Sequence, residues 1–146
     1  SEQGLRLGGY VIEYLKRQGV TVAVEQMPQE GMKGYCDPED NHIGLSSELE
    51  DDHAAKTLVH ETAHLLAKHT SSLPKGDRET VAEGSAYVVL SHFGLDTAEY
   101  SFGYVAGWAK DKAVLKRNLD GIQKIASQII DGVEAITPQT LEQSES

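Results

Sequence analysis

The chain has 146 residues, of which 39% are hydrophobic and 25% are charged, values typical of one globular domain that can bury a core. Its formal net charge of -10 argues against a general nucleic-acid-binding surface, which would need a basic face. Cys36 is the single cysteine, so an internal disulfide is excluded. No run approaches the roughly 18 apolar residues that a membrane span needs. We therefore expect a cytoplasmic protein without membrane contact.

A helix followed by a small sheet is predicted for the first third of the chain. Residues 4–18 repeat apolar side chains at helical spacing, and the segment ends at a glycine. The β-branched and apolar run at 20–27 predicts a first strand. Residues 33–36 and 42–45 predict two shorter strands on either side of the turn-rich segment 37–41.

Helices are predicted for the rest of the chain. Ser47 and Glu50 resemble a capping box ahead of the strongest helical pattern, which runs from about 48 to 70. Three more helices are predicted at about 77–93, with Asp77 as the cap, at 96–109 and at 111–131. This order predicts an α+β fold, with one domain over residues 1–136 and a flexible tail over 137–146.

The sequence His60-Glu61-Thr62-Ala63-His64 lies within the strongest predicted helix. Residues four apart share one face of a helix, so both imidazoles can reach one Zn²⁺ ion from a single rigid scaffold. Glu61 can then act as general base toward water at the open coordination position that a catalytic zinc site keeps. The alternative is that these are two ordinary surface histidines on an amphipathic helix.

A third ligand has to come from another element, and the next predicted helix offers Glu79 and Glu83 on one face. The turn at 71–76 allows the two helices to pack antiparallel, which would bring these carboxylates toward the histidines. One carboxylate can complete the site while the other holds a ligating histidine through a hydrogen bond. Solvated helix charges are the alternative.

Two segments carry a family resemblance. Residues 57–64, Thr-Leu-Val-His-Glu-Thr-Ala-His, and residues 78–87, Arg-Glu-Thr-Val-Ala-Glu-Gly-Ser-Ala-Tyr, resemble the zincin-like domains of the IrrE/ImmA family and of ArdC-like antirestriction proteins. The resemblance covers roughly residues 33–109. It implies a zincin-like fold in which a small three-stranded sheet packs with an active-site helix and further helices.

The resemblance also implies a gluzincin-type site with a glutamate of the second helix on zinc. Glu79 matches the first position of the family's Glu-x-x-Ala-Asn/Asp pattern and is assigned as the ligand. Glu83 stands where ImmA-like members usually carry Asn or Asp, and the reverse assignment, with Glu83 on zinc, stays open. The family further implies a substrate peptide that adds beside an edge strand, here at Tyr35 or at 42–45.

These features predict a hydrolase, a zinc metalloendopeptidase that cuts a peptide bond in a protein partner. In ImmA-like relatives that partner is a transcriptional repressor, often on a mobile element. The alternative is an antirestriction or mobile-element binding module with a structural or vestigial zinc site. For other residues the interpretations are modest: His53 is expected to be a solvated helical histidine rather than part of the cleft, and Cys36 a buried, inert thiol.

Overall fold

The computed structural model describes residues 1–70, 72–97 and 112–136. In these ranges the elements are α1 (Glu2–Arg17), β1 (Thr21–Glu25), β2 (Gly34–Asp37), β3 (His42–Ser46), α2 (Asp51–Thr70), α3 (Lys75–His92), α4 (Lys112–Arg117) and α5 (Leu119–Glu134). The predicted α+β class, with a small three-stranded sheet packed with helices, is confirmed. All but the first two residues of the helix predicted at 96–109, and the whole predicted tail at 137–146, lie outside the described residues.

The sheet has the strand order β1-β3-β2. β1 pairs with β3 in parallel, with Thr21 opposite His42 and Glu25 opposite Ser46, whereas β2 and β3 form an antiparallel pair. β3 is therefore the central strand. The prediction that residues 42–45 could offer an edge to a substrate peptide is wrong, because both sides of β3 are already hydrogen-bonded; Tyr35 lies on β2, at an edge.

One face of the sheet packs against α2 and joins a core shared by the helices. Ile43 and Leu45 of β3 are buried in the same cluster as Leu58 and Val59 of α2. Gly34 allows the close approach of sheet and helix, since a Cβ there would lie 2.9 Å from the Thr57 methyl group. The amphipathic helices α1 and α5 complete the core with a further set of buried residues: Leu7, Val11, Leu15, Ile125, Ile129 and Val133.

The predicted helix caps differ from the structure. α2 begins at Asp51, and the Ser47 backbone N–H donates to the Glu25 carbonyl at 3.0 Å, so this serine continues the sheet rather than capping the helix. α3 begins at Lys75, directly after Pro74, which places Asp77 in the first turn instead of at the cap. Ser47 therefore lies before the first turn of α2, and Asp77 lies within the first turn of α3.

Asp77 instead fastens α3 to the segment that joins α4 and α5. Arg117 donates to both carboxylate oxygens, with Nε at 2.7 Å and Nη2 at 3.0 Å, and the Asn118 amide donates at 2.7 Å. These hydrogen bonds hold the pKa of Asp77 down to about 2. Further along α3, the Ser85 hydroxyl donates to the Ile122 carbonyl at 3.2 Å. These contacts hold α3 against α4 and α5. No helix in the described ranges is long and apolar enough to cross a membrane.

Candidate metal centre

The polar side chains of α2 form a stripe along one face of the helix. His53, Thr57, His60 and His64 follow each other at steps of three or four residues, with Glu61 beside them. The other faces carry the core residues, so the helix is fixed by burial: Leu58, Val59, Ala63, Leu65, Leu66 and Ala67 are each at most 7% exposed. Thr62 satisfies its buried hydroxyl by donating to the Leu58 carbonyl at 2.7 Å.

The two histidines converge at the middle of this stripe. The Nε2 atoms of His60 and His64 lie 2.8 Å apart, and their ring centroids are 4.6 Å apart. Burial, followed by the neighbouring His64, lowers the pKa of His60 to about 4, and burial also lowers the pKa of His64. Both rings are therefore neutral near pH 7, which is the form in which imidazole binds a metal.

Glu61 lies next to the pair and is half-buried. Burial raises the pKa of Glu61 to about 7, with a further contribution from the negative charge of Glu79 and an opposing one from Lys68. A carboxyl group that exchanges its proton near neutral pH is suited to general acid–base chemistry.

α3 brings the two predicted carboxylates to different places. Glu79 points its Oε2 atom toward the histidine pair, 3.9 Å from Nε2 of His64, with 45% of its side chain exposed. Glu83, one turn further along α3, is half-buried, and burial together with the charge of Glu79 raises its pKa. The antiparallel packing of α2 and α3 that the turn predicted is thus present, and Glu79 is the carboxylate that it places beside His64.

A cleft of about 440 Å³ opens next to the histidine pair, between α2 and the segment that leads into β2. Its lining residues are Gly31, Lys33, Gly34, His53, Lys56, Thr57, His60 and Glu61. His53 is exposed, as predicted, but the expectation that it would not belong to the cleft is wrong. Lys33 and Lys56 were missed by the sequence analysis, although Lys56 precedes His60 by one helical turn, a spacing that could have identified it.

Cys36 lies on the sheet face that packs against α2. Burial, then the negative charge of Glu61, raises the pKa of its thiol to about 11. A thiol with this pKa is protonated near neutral pH and is a poor nucleophile and metal ligand. Cys36 is half-buried rather than buried as predicted, and its protonated thiol is in keeping with the predicted inert role.

The donor set can be compared with the requirements of zinc. Within the described ranges no three His, Cys, Asp or Glu side chains stand close enough together to hold a metal ion as they are placed. Tetrahedral zinc with bonds of about 2.0–2.1 Å would hold two nitrogen ligands about 3.3 Å apart, slightly further than the 2.8 Å between the histidines. The chemistry of two neutral imidazoles and a carboxylate fits zinc, and the Oε2 atom of Glu79 lies 3.9 Å from Nε2 of His64 in the present positions.

The chain is similar in sequence to part of a bacterial protein and to a peptidase family. Over 82 residues the chain is 33% identical to the uncharacterized protein pXO2-81 of Bacillus anthracis; the match covers 52% of this chain and 14% of that protein, so the chain spans only a small part of this relative's length. No solved structure matches the chain at a significant level. The peptidase M78 family, described as the IrrE N-terminal-like domain, matches residues 15–110, more than half of the chain. With this match and an α+β fold of the expected kind, the chain belongs to the peptidase M78 family of IrrE N-terminal-like domains.

Proposed function

We propose that this chain is a zinc-dependent metalloendopeptidase domain in which His60, His64 and Glu79 hold Zn²⁺ and Glu61 is the general base. The observation that carries the proposal is the convergence of the imidazole Nε2 atoms of His60 and His64, 2.8 Å apart, beside a cleft that His60 and Glu61 line. Membership of a peptidase family supports the same reaction class.

Each side chain has a distinct part in this proposal. His60 and His64 bind as neutral ligands from one rigid helix, and Glu79 supplies the negative charge that offsets part of the cation's charge. A zinc ion bound there would polarise a substrate carbonyl and make water acidic enough to lose a proton near neutral pH. Glu61 would accept that proton and pass it to the leaving amine, which is general base and then general acid catalysis.

The substrate proposed is a peptide segment of a protein partner, with a transcriptional repressor or mobile-element regulator as the class that the family resemblance suggests. A reducing cytoplasmic setting suits such a partner and the single, protonated thiol of Cys36. A nucleic acid is the less favoured ligand, because the chain carries 23 acidic and 13 basic residues.

A second candidate function is a binding module with a vestigial or structural zinc site, as in the antirestriction alternative. The observation that favours it is the position of Glu79, 3.9 Å from His64 and 45% exposed, without a compact group of three ligands in the part of the chain that the structure describes. In this case the chain would bind its partner without cleaving it.

Zinc content and cleavage separate the two candidates. Glu61→Gln should keep one zinc ion per chain, measured by elemental mass spectrometry, and lose at least about a hundredfold in peptide hydrolysis, because the base is removed while the ligands remain. His60→Ala should lose both the metal and the activity. Zinc-loaded wild-type protein that cleaves no peptide, or a Glu61→Gln variant that cleaves normally, would refute the peptidase proposal.

Competition with a chromophoric chelator tests the third ligand. Glu79→Gln should weaken zinc binding by about tenfold or more, since a direct ligand is lost. Glu83→Gln is the matched control one helical turn away and should have the smaller effect. If Glu83→Gln weakens zinc binding more than Glu79→Gln does, the two glutamates exchange their roles.

A further inference from the structure

The cleft beside the histidine pair carries the opposite charge to the chain as a whole. The net charge of the chain is -10, yet two of the eight described residues that line the cleft are lysines. Lys33 belongs to the segment that leads into β2 and Lys56 to α2, so the two lysines reach the cleft from different elements. Among the described residues that line the cleft, Glu61 is the one acidic side chain, and it follows His60 directly in the sequence.

The two lysine charges are available to a ligand. Lys33 is exposed and Lys56 is half-buried. Within the described ranges neither ammonium group belongs to an ion pair, although the charge of Lys56 reaches the Asp52 carboxylate, which itself accepts hydrogen bonds from Ser1. A cleft with low-dielectric walls concentrates the field of such charges and selects for the opposite sign.

The spacing along α2 relates this charge to the proposed reaction centre. Lys56 precedes His60 by four residues, or about 6 Å along the helix axis. An extended peptide advances about 3.3 Å per residue. A substrate side chain that reaches Lys56 would therefore belong to a residue about two positions away from the bond next to the histidine pair.

We propose that the basic cleft formed by Lys33 and Lys56 binds an acidic side chain of the peptide substrate, about two or three residues from the scissile bond. The inference rests on the proposed peptidase function and specifies its substrate class: segments with an Asp or Glu near the cleavage site. A carboxylate bound in this cleft would be attracted by both ammonium groups.

The test has a cleavage arm and a binding arm. In the first, zinc-loaded wild-type protein digests a library of blocked synthetic decapeptides, and mass spectrometry reads the residues on both sides of every cleaved bond. In the second, the zinc-loaded Glu61→Gln variant binds two fluorescein-labelled peptide pools that differ only in carrying Asp and Glu or Asn and Gln at their central positions, followed by fluorescence anisotropy. Both arms are repeated with Lys33→Gln/Lys56→Gln and with Lys124→Gln, an exposed lysine on α5, as the matched control.

The expected result is an enrichment of Asp and Glu two or three positions from the cleaved bond, and about two- to tenfold tighter binding of the acidic pool. The double lysine variant should lose both preferences while the Lys124 control keeps them, and the preference should shrink when NaCl rises from about 0.05 to about 0.5 M. Cleavage without acidic enrichment would overturn this inference and leave the peptidase proposal standing. If no peptide is cleaved, the peptidase proposal fails, and equal binding of the two pools in the second arm would then overturn the acidic-substrate inference separately.

Discussion

Replacing Glu61 with glutamine should change how the stability of the metal-free protein depends on pH. Burial raises the pKa of Glu61 from its usual 4.5 to about 7 in the folded chain. Between these two values the unfolded chain has lost the proton while the folded chain keeps it. Ionisation therefore works against folding, and the contribution of Glu61 to stability falls as the pH rises from about 4.5 to about 7 and then stays low.

The size of the effect follows from the two pKa values. A tenfold change in proton affinity corresponds to about 1.4 kcal/mol, so a pKa raised from 4.5 to about 7 amounts to roughly 3 kcal/mol in the free energy of unfolding. Glutamine imitates the protonated carboxyl group and carries no such penalty. The stability of Glu61→Gln minus that of wild type should be near zero at about pH 4.5 and should reach roughly 2–3 kcal/mol at about pH 7.5.

Urea unfolding followed by far-ultraviolet circular dichroism, with a chelator present, measures this difference. His60 contributes the opposite slope, because its pKa is lowered to about 4 and the unfolded chain binds a proton that the folded chain does not. The pH dependence that His60 contributes is present in both wild type and Glu61→Gln, so it cancels in the difference, apart from the electrostatic coupling between His60 and Glu61. Glu39→Gln, an exposed change in the turn between β2 and β3, should differ from wild type by less than about 0.5 kcal/mol at every pH. If the difference in the free energy of unfolding between Glu61→Gln and wild type is the same at about pH 4.5 and about pH 7.5, burial does not raise the pKa of Glu61.

Three further predictions concern stability, each measured by urea denaturation. Asp77→Asn should remove a stabilising contribution to the free energy of unfolding that is present above about pH 4 and is lost as the pH falls toward 2. The reason is that the pKa of Asp77 is lowered to about 2 in the folded chain. A variant that loses the same stability as wild type between these pH values would contradict this. Gly44→Ala should lower the free energy of unfolding by about 1–3 kcal/mol, because the new methyl group would lie 2.7 Å from Cζ of Tyr35. In the double variant with Tyr35→Ala this clash is absent, so the two single-variant costs should clearly fail to add. Leu58→Ala, at a 1% exposed position, should cost about 2–5 kcal/mol, whereas Leu5→Ala, at 59% exposure, should cost under about 0.5; equal costs would contradict the burial argument.

The hydrogen bonds on the sheet face that points away from α2 show why contacts between strands cannot be predicted from local sequence patterns. Tyr35 of β2 passes over Gly44 of β3 and donates to Glu25 of β1 at 2.7 Å, and His42 binds the other oxygen of Glu25 at 2.7 Å. The residues involved are up to 17 positions apart. Their meeting depends on the strand order β1-β3-β2, which places β3 between the strands that carry Tyr35 and Glu25.

Local periodicity and spacing were enough to predict the helix that holds His60 and His64 on one face, the turn that returns α3 toward it, and the number of strands. These features follow from 3.6 residues per helical turn and from β-branched runs, which act within a few residues. Contacts between distant segments were needed for the central place of β3, the binding of Asp77 by Arg117 instead of a helix cap, and the placement of Glu79 beside His64. Burial and contacts between distant segments determine these features, and the same burial lowers the pKa of His60 to about 4 and raises the pKa of Glu61 to about 7.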